Sequence, residues 1–437
     1  MDADDIVTGQ RYFQPELETM PRADLEELQL EKLLSQLPYA YEHSALVRET
    51  WDDAGVHPRD IRSMADFTER VPFLDKDAIR RFRDRHRDPY GGLLCIPERD
   101  LIAIYSTSGT TGDPTPTPQG ESRGSPLARE FWEVGVRPGD HMVMFLFTFR
   151  GVSVFKGMHE VGAVPLFFDH TPVELPRLAE FGRRYQPTGL YLLSGPLIMA
   201  IDAMAPAMGI DPKELFASYR GAVYGGEPLG PRARELVDAW GIELFLHTAV
   251  GDAGSATECA EHDGYHWWED AVMVEHLEPD RSEPVGDGDR GEMVVTSLDD
   301  RVAPLIRFRS DDLVHLSRAR CGCGRTHGRI WPLARKTDEV VVDGRSVIPT
   351  DVWAAIESVP ATSSGFFQVI RPRRELDRLR LRVGYRTPLA EAEDAVADAV
   401  AAAVFAAVGL VPEVDLVPEG DLLKLGPPQK IPRVATA

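Results

Sequence analysis

Between Leu101 and Leu246, short apolar runs alternate with stretches whose apolar residues recur at helical spacing. The runs are LIAIYS, HMVMFLF, AVPLFF, GLYLLS and GAVYGG. Strands that alternate with helices in this way are joined by crossover connections and form a mostly parallel sheet. Open α/β sheets bind ligands at the carboxyl ends of their strands. The sequence therefore predicts an α/β fold with a ligand site beside these strand ends.

The segments on either side of this region have different patterns. Residues 22–85 show helical spacing with Asp and Pro punctuation, which predicts a helical lead-in. Residues 290–345 are β-rich, and the rest of the chain alternates strands with helices as in a small α+β unit. Because 437 residues exceed one compact core of ordinary size, we expect two domains, residues 1–335 and 336–437.

Charge and cysteine content argue against several classes of protein. A net charge of −22 disfavours nucleic-acid and anionic-membrane partners, which select basic patches. Four cysteines are too few for a disulfide scaffold in a chain of this length. No secretory segment opens the sequence, and the apolar run AVAAAVFAAVGLV is too short to span a bilayer. We therefore expect a cytoplasmic protein with no nucleic-acid partner and no membrane span.

The stretch YSTSGTTGDPT, residues 105–115, places small hydroxyl and glycine residues directly after an apolar run. Such a loop can turn backbone N–H groups and hydroxyls toward one anion, and its small side chains let a polyphosphate approach. The same composition also fits an ordinary solvated turn. The Walker pattern GxxxxGK[ST] is absent, which argues against a P-loop nucleotidase, and no GxSxG elbow indicates a hydrolase.

Several motifs in one order carry a resemblance to a known family. SGTTG followed by PT resembles the phosphate loop of the adenylate-forming ligases, and other stretches resemble the phenylacetate-CoA ligase branch. These stretches are residues 41–80, GGEPLG at 225–230, GYHWWED at 264–270, RFRSDDL at 307–313 and CGCGRTHGRI at 321–330. The resemblance implies a large N-terminal adenylation domain, with mostly parallel sheets and a β-rich subdomain, and a small mobile C-terminal α+β domain. It also implies a homodimer that uses ATP, Mg²⁺ and coenzyme A to convert an aromatic acid first to acyl-AMP and then to a thioester.

The resemblance also assigns roles to individual residues. Lys430 takes the place of the catalytic lysine of the family's GKAxRV ending. The residues implied to bind ATP are Ser108, Gly109, Thr110, Thr111 and Gly112 at the phosphates, Gly225, Gly226 and Glu227 at the adenine, Asp312 at the ribose, and Arg335 at the domain junction. Phe147, Phe149 and Arg150 align with the aromatic-acid pocket, although strand aromatics are also common in cores and an arginine can simply point to solvent.

Three departures from the family pattern leave the reaction open. Asp113 stands where the family has lysine after the phosphate loop, and Ala249 of FLHTA stands where the family has its Mg²⁺-binding glutamate. Asp252 or Glu258 can restore a carboxylate there. The junction motif GRxDD reads ARKTD. The alternatives are therefore a CoA ligase, an adenylating enzyme with another outcome such as amide formation or nitrite activation, and a non-catalytic relative.

Cysteine and histidine residues from two segments form a candidate metal site. Cys259, His266, Cys321 and Cys323 supply the soft ligands that zinc prefers, with His262 as the substitute ligand. The alternative is a set of reduced buried thiols. The resemblance supports zinc, because some family members carry one in the corresponding region, and it implies a closed structural site. GDGDRG at 286–291 precedes a strand and is predicted to be a hairpin turn instead of a dinucleotide loop.

Overall fold

The computed structural model describes residues 9–106, 115–121, 126–146, 151–426 and 430–436. The α-helices are α1 Pro15–Glu18, α2 Arg22–His43, α3 Ala45–Asp53, α4 Met64–Arg70, α5 Lys76–His86, α6 Leu127–Glu133, α7 Gly151–Val161, α8 Leu175–Tyr185, α9 Gly195–Met204, α10 Pro212–Leu215, α11 Pro231–Trp240, α12 Pro349–Glu357, α13 Glu393–Val408 and α14 Glu419–Leu422. The strands are β1 Leu101–Ser106, β2 Pro116–Gly120, β3 His141–Leu146, β4 Val164–Asp169, β5 Gly189–Leu193, β6 Gly221–Tyr224, β7 Leu244–Val250, β8 Gly254–Glu258, β9 Tyr265–Trp267, β10 Val272–Leu277, β11 Arg290–Ser297, β12 Phe308–Ser317, β13 Arg329–Arg335, β14 Val340–Val342, β15 Arg345–Val347, β16 Phe367–Ile370, β17 Glu375–Leu376, β18 Arg380–Tyr385, β19 Glu413–Pro418 and β20 Val434–Ala435.

The chain divides into two compact units. The first comprises residues 1–140, 147–165 and 245–333, and the second comprises residues 141–146, 166–244 and 334–437. One break between the units falls at residue 334, close to the predicted boundary, but each unit is assembled from separate stretches of chain. The division into domains 1–335 and 336–437 therefore stays a prediction.

The first unit contains the predicted helical lead-in, α2 to α5. Asp75 caps α5 by accepting a hydrogen bond from the backbone N–H of Ala78, and arginines occupy the last turn of that helix, where they complement its dipole. Its strands follow the order β10-β11-β12-β13-β9-β8-β7. Phe82, Trp267 and Phe308 belong to one core cluster that joins the helices to this sheet.

The second unit contains the predicted parallel strands, in the order β6-β5-β3-β4. The strands β3 and β6 both pair with β5 in parallel register, so the mostly parallel sheet is confirmed here. Its C-terminal part is the predicted α+β unit, in which α13 buries Val396, Val400 and Val404 at intervals of four residues. This helix ends at Gly409, whose φ of +71° suits glycine.

One predicted strand is present but lies in a different sheet from the one expected. The run LIAIYS, strand β1, was expected to join the parallel sheet, but it pairs antiparallel with β2 in a separate two-stranded sheet. The partner strand PTPQG contains two prolines and little apolar character, so its sequence gives no strand signal. Among the described residues, we find no helix that is long and apolar enough to cross a membrane.

Candidate active site and metal centre

The predicted phosphate loop and acid pocket lie outside the described residues. This applies to Ser108 through Gly112, to Asp113, and to Phe147, Phe149 and Arg150. The remaining predicted ATP-site residues are described, with Asp312 in the first unit and Gly225, Gly226, Glu227, Arg335 and Lys430 in the second.

The GlyGlyGlu stretch at 225–227 forms the turn at the carboxyl end of β6. The backbone N–H of Gly225 donates to the carbonyl of Leu193 at the end of the neighbouring strand β5, at 3.1 Å. Gly226 has a φ of +104°, a conformation that side-chain-bearing residues rarely adopt. The turn therefore lies at the carboxyl end of the parallel strands, where such sheets bind ligands.

The carboxylate of Glu227 is buried beside an arginine from the C-terminal segment. Its Oε2 accepts a hydrogen bond from Nε of Arg433 at 2.9 Å, and a second guanidinium nitrogen lies 2.8 Å away. Burial raises the pKa of Glu227, and the charge of Arg433 opposes that shift. Glu227, which is predicted to line the adenine, therefore also contacts the segment that carries Lys430.

Lys430 and Arg335 share an acidic neighbour, Asp338. Burial raises the pKa of Asp338, while the positive charges of Arg335, Arg371 and Lys430 act to lower it. The backbone N–H of Asp338 also donates to the carbonyl of Arg335 at 2.9 Å. The arginine and acid that the ARKTD motif retains are thus held in one turn, within electrostatic reach of the predicted catalytic lysine.

Two carboxylates in the first unit are candidates for Mg²⁺. The Oδ2 atom of Asp252 lies 3.5 Å from Nζ of Lys76, and within the described chain it is buried without a hydrogen bond. Glu258 instead accepts a hydrogen bond from the backbone N–H of Leu246 at 3.0 Å and contacts Nδ1 of His262 at 3.2 Å. The Asp252 oxygen pairs with one ammonium and, within the described chain, accepts no hydrogen bond, so it is more available to a hard cation such as Mg²⁺ than the hydrogen-bonded carboxylate of Glu258.

The four predicted metal ligands come together in the first unit. Donor atoms of Cys259, His266, Cys321 and Cys323 all lie within 4.8 Å of one another, and all four residues are buried. Cys259 follows β8, His266 lies on the adjacent strand β9, and the CysGlyCys turn lies between β12 and β13. The antiparallel pairing of β8 with β9 brings Cys259 near His266, and the antiparallel pairing of β13 with β9, with Arg329 opposite His266, brings the CysGlyCys segment to the same place.

The geometry of this cluster fits zinc. A tetrahedral zinc ion with Zn–S distances of about 2.3 Å holds its sulfurs about 3.8 Å apart and a sulfur–nitrogen pair about 3.5 Å apart. The sulfurs of Cys259 and Cys321 are 3.8 Å apart, and Sγ of Cys323 is 3.5 Å from Nε2 of His266. Nδ1 of His266 is 3.0 Å from the carbonyl of His327, which orients the ring with Nε2 toward the sulfurs. The set contains His266 and not the substitute His262.

A network of buried ion pairs holds the loop that carries Cys321 and Cys323. Arg325, two residues after Cys323, donates to Glu18 at 2.8 Å and to Glu133 at 2.7 Å. Although burial favours the neutral carboxyl, the charge of Arg325 lowers the pKa of Glu133. The hydroxyl of Tyr12 donates to the carbonyl of Cys323 at 2.6 Å. The N-terminal segment and α6 thus hold the loop through charged and polar contacts.

We expect Gly324→Ala to distort this loop. Gly324 has a φ of +96°, and a Cβ there would lie 2.4 Å from the hydroxyl oxygen of Tyr12. The strain and the overlap together should lower the free energy of unfolding by about 2–4 kcal/mol. Denaturant unfolding measures this loss. Gly139→Ala is the control, because Gly139 has a φ of +84° and open space at the Cβ position. Equal losses in the two variants would contradict the tight contact with Tyr12.

The sequence did not reveal a buried network around His247. Nδ1 of His247 lies 2.9 Å from a carboxylate oxygen of Glu130, and the hydroxyl of Ser255 donates to the other oxygen at 2.5 Å. Burial opposes ionisation of Glu130, but the charge and hydrogen bond of His247 lower its pKa. All seven residues of α6, including this glutamate, are buried, so no amphipathic pattern marks it. In the sequence, the histidine of FLHTA, His247, was the residue that could have indicated a buried polar network.

Comparisons with known proteins agree with the motifs. No model of a protein family matches the sequence. The chain is 31% identical over 392 residues to the phenylacetate-coenzyme A ligase of Thermus thermophilus, covering 86% of this chain and 85% of that protein. It is 28% identical over 384 residues to the phenylacetate-coenzyme A ligase of Aromatoleum evansii, covering 84% of this chain and 83% of that protein.

A solved structure has the same fold. This is 2-hydroxyisobutyryl-CoA ligase in the postadenylation state in complex with 2-HIB-AMP, which superposes with a TM-score of 0.84 at 24% sequence identity. The match covers 100% of this chain and 95% of that one. It confirms the predicted fold class, that of the adenylate-forming CoA ligases. Because similarity to named relatives extends along most of the chain and the fold agrees, the chain belongs to the phenylacetate-coenzyme A ligase branch of the adenylate-forming ligases.

Proposed function

We propose that this protein activates an aromatic carboxylic acid with ATP and transfers the acyl group to coenzyme A. The main support is the 31% identity to a phenylacetate-coenzyme A ligase along 86% of the chain. The retained Lys430, held near Asp338 and Glu227, agrees with this function, because a chain that had lost catalysis would not need that lysine.

In the first step, an oxygen of the carboxylate forms a bond to the α-phosphorus of ATP. The bond from this phosphorus to the bridging oxygen breaks, and pyrophosphate leaves with the electron pair. Two anions must approach each other, so positioned positive charge and N–H donors are required. We assign the ammonium of Lys430 to the α-phosphate, and residues 108–112 to the β and γ phosphates.

The other assigned residues orient the nucleotide. Gly225, Gly226 and Glu227 line the adenine in this proposal, Asp312 accepts hydrogen bonds from the ribose hydroxyls, and Arg335 reaches the ribose or a phosphate. Mg²⁺, which neutralises phosphate charge, would be held by Asp252. In the second step the sulfur of coenzyme A bonds to the acyl carbon, the bond from that carbon to AMP breaks, and the thiol proton is lost.

Aromatic acids are proposed as the substrates because the named relatives are phenylacetate-coenzyme A ligases. Phe147, Phe149 and Arg150 are assigned to the pocket, with the guanidinium available to a carboxylate or a polar ring substituent. Zinc at Cys259, His266, Cys321 and Cys323 is assigned a structural role, since four protein ligands leave no open position for a substrate.

The decisive experiment follows both steps with a panel of aromatic acids. Acid-dependent exchange of labelled pyrophosphate into ATP reports the adenylate, and mass spectrometry detects the thioester after coenzyme A is added. Product that forms with an amine, or from nitrite and an aryl amine without coenzyme A, would replace the ligase assignment by another adenylating activity. No exchange with any acid would contradict adenylation altogether.

We further propose that the enzyme works in the cytoplasm as a homodimer. The charge and cysteine content favour this compartment, and dimers are the commonest assemblies of homo-oligomeric proteins. Light scattering coupled to size-exclusion chromatography would measure the mass directly, and 48.5 kDa, the mass of one chain, would contradict the dimer.

A further inference from the structure

The C-terminal segment at residues 430–436 is fixed to its own unit by main-chain hydrogen bonds. The backbone N–H of Val369 donates to the carbonyl of Arg433 at 2.7 Å, and that of Arg371 donates to the carbonyl of Ala435 at 2.6 Å. The side-chain amide of Gln368 donates to the carbonyl of Pro432 at 2.9 Å. The strands β16 and β20 are thus paired in parallel, and the segment has a defined path just after Lys430.

The side chain of Arg433 extends from this segment to the turn after β6. It donates to the carboxylate of Glu227, as described above, and to the carbonyl of Gly365 at 2.5 Å. The guanidinium carbon lies 3.7 Å from the ring centroid of Trp353, close enough for a cation–π contact. Both partners of the ion pair are desolvated, with 9% of the Arg433 side chain and 3% of the Glu227 side chain exposed.

The carboxylate of Glu227 interacts with more than one residue of the C-terminal segment. The side chain of Arg433, the backbone of Ile431 and the charge of Lys430 all act on it. A Cβ at Gly195, at the start of α9, would lie 2.6 Å from its Oε1 atom, so glycine at that position leaves the space that the carboxylate occupies. Glu227 therefore interacts with several residues of one segment, whereas a single surface ion pair joins only two side chains.

We infer that the buried Glu227–Arg433 ion pair positions Lys430 for the adenylation step. The inference rests on the proposed function. Three residues of extended chain span at most about 10 Å, so fixing Arg433 confines the backbone of Lys430 to that distance from it. The ion pair links the segment to the GlyGlyGlu turn, where the adenine is proposed to bind. Arg433 is thus a positioning residue that acts through Lys430.

The test separates the two chemical steps in Arg433→Gln. Displacing a reacting group by about 1 Å can cost about 100-fold in rate, and we expect a loss of that order in acyl-adenylate formation. Thioester formation from a supplied acyl-adenylate should change by less than about threefold, because that step does not use the lysine. Hydrogen exchange of the backbone amides of Val369 and Arg371, which donate to carbonyls of this segment, should become faster in the variant.

Two further variants provide controls. Arg380→Gln removes an arginine from an exposed pair with Glu413, 3.4 Å apart in the same unit, and should alter neither step. Glu227→Gln combined with Arg433→Gln removes both charges and leaves no buried ion unpaired, so it keeps the test usable if the single variant does not fold. Glu227 is also assigned to the adenine, which is bound in both steps, so the double variant should lose some of each step and should still lose adenylation about 100-fold more than thioester formation.

Three results would overturn the inference. The first is a wild-type adenylation rate in Arg433→Gln, or in the double variant if the single variant does not fold. The second is an equal loss of both steps. The third is unchanged hydrogen exchange at the backbone amides of Val369 and Arg371. If the wild-type protein formed no acyl-adenylate with any acid, the proposed function would fail instead. The exchange measurement would then decide by itself whether the ion pair holds the segment.

Discussion

Lys430→Ala should lose acyl-adenylate formation by about 100- to 1,000-fold, the range seen when one donor to developing negative charge is removed. The lysine is proposed to offset the repulsion between the carboxylate and the α-phosphate as they approach each other. Thioester formation from a supplied acyl-adenylate should persist, because that reaction contains no attack on phosphorus. Pyrophosphate exchange and a single-turnover thioester assay measure the two steps.

Lys424→Ala is the matched control for this variant. Lys424 belongs to the same unit, is exposed, and pairs with Asp421 at 2.8 Å three residues earlier, so its loss should leave both steps unchanged. Unaltered pyrophosphate exchange in Lys430→Ala would remove the catalytic role from this residue. A matching loss in Lys424→Ala would instead indicate a general effect of charge in this part of the chain.

Replacing Cys323 by serine should abolish binding of the zinc proposed for the cluster and destabilise the fold. The site is closed and buried. Loss of the Cys323 thiolate would leave three ligands for the metal and would remove one of the negative charges that act on the buried Arg325. We expect a loss of about 3–5 kcal/mol in the free energy of unfolding. That corresponds to a fall of about 6–10 °C in Tm, at roughly 2 °C per kcal/mol for a large domain. Elemental analysis and thermal unfolding measure the two effects.

Cys95→Ser serves as the control for this substitution. Cys95 is also a buried free cysteine, but it is not part of the four-residue cluster, and burial raises the pKa of its thiol to about 12. It should retain one zinc per chain. A wild-type protein that contains no zinc after expression in zinc-supplemented medium would show that the cluster is simply a set of packed thiols.

Local patterns in the sequence predicted the elements that bury one face. The parallel strands β3, β5 and β6 follow from apolar runs, and α2 to α5 follow from helical spacing. The convergence of Cys259, His266, Cys321 and Cys323 could also be predicted, since cysteine and histidine are few and their chemistry is specific. For the strands and helices the signal lies within a few residues of chain.

The contacts that could not be predicted join residues far apart in sequence. Arg433 and Glu227 are 206 residues apart, and an ion pair leaves no periodicity that would indicate its partner. The ending KIPRV contains Arg433 three residues after Lys430, but only Lys430 matched a known chemical role. Glu130 was missed because a charged residue on a short helix is normally exposed, and here the helix is buried on all sides.

The contact between Arg325 and Glu18 has a consequence for synthesis of the chain in the cell. These residues are 307 positions apart, so the N-terminal segment leaves the ribosome long before its partner exists. At about 5–20 residues per second, the interval is about 15–60 s. During this interval the native partner of Glu18 is absent, so the buried contact between the N-terminal segment and the cysteine loop forms only after translation has passed Arg325.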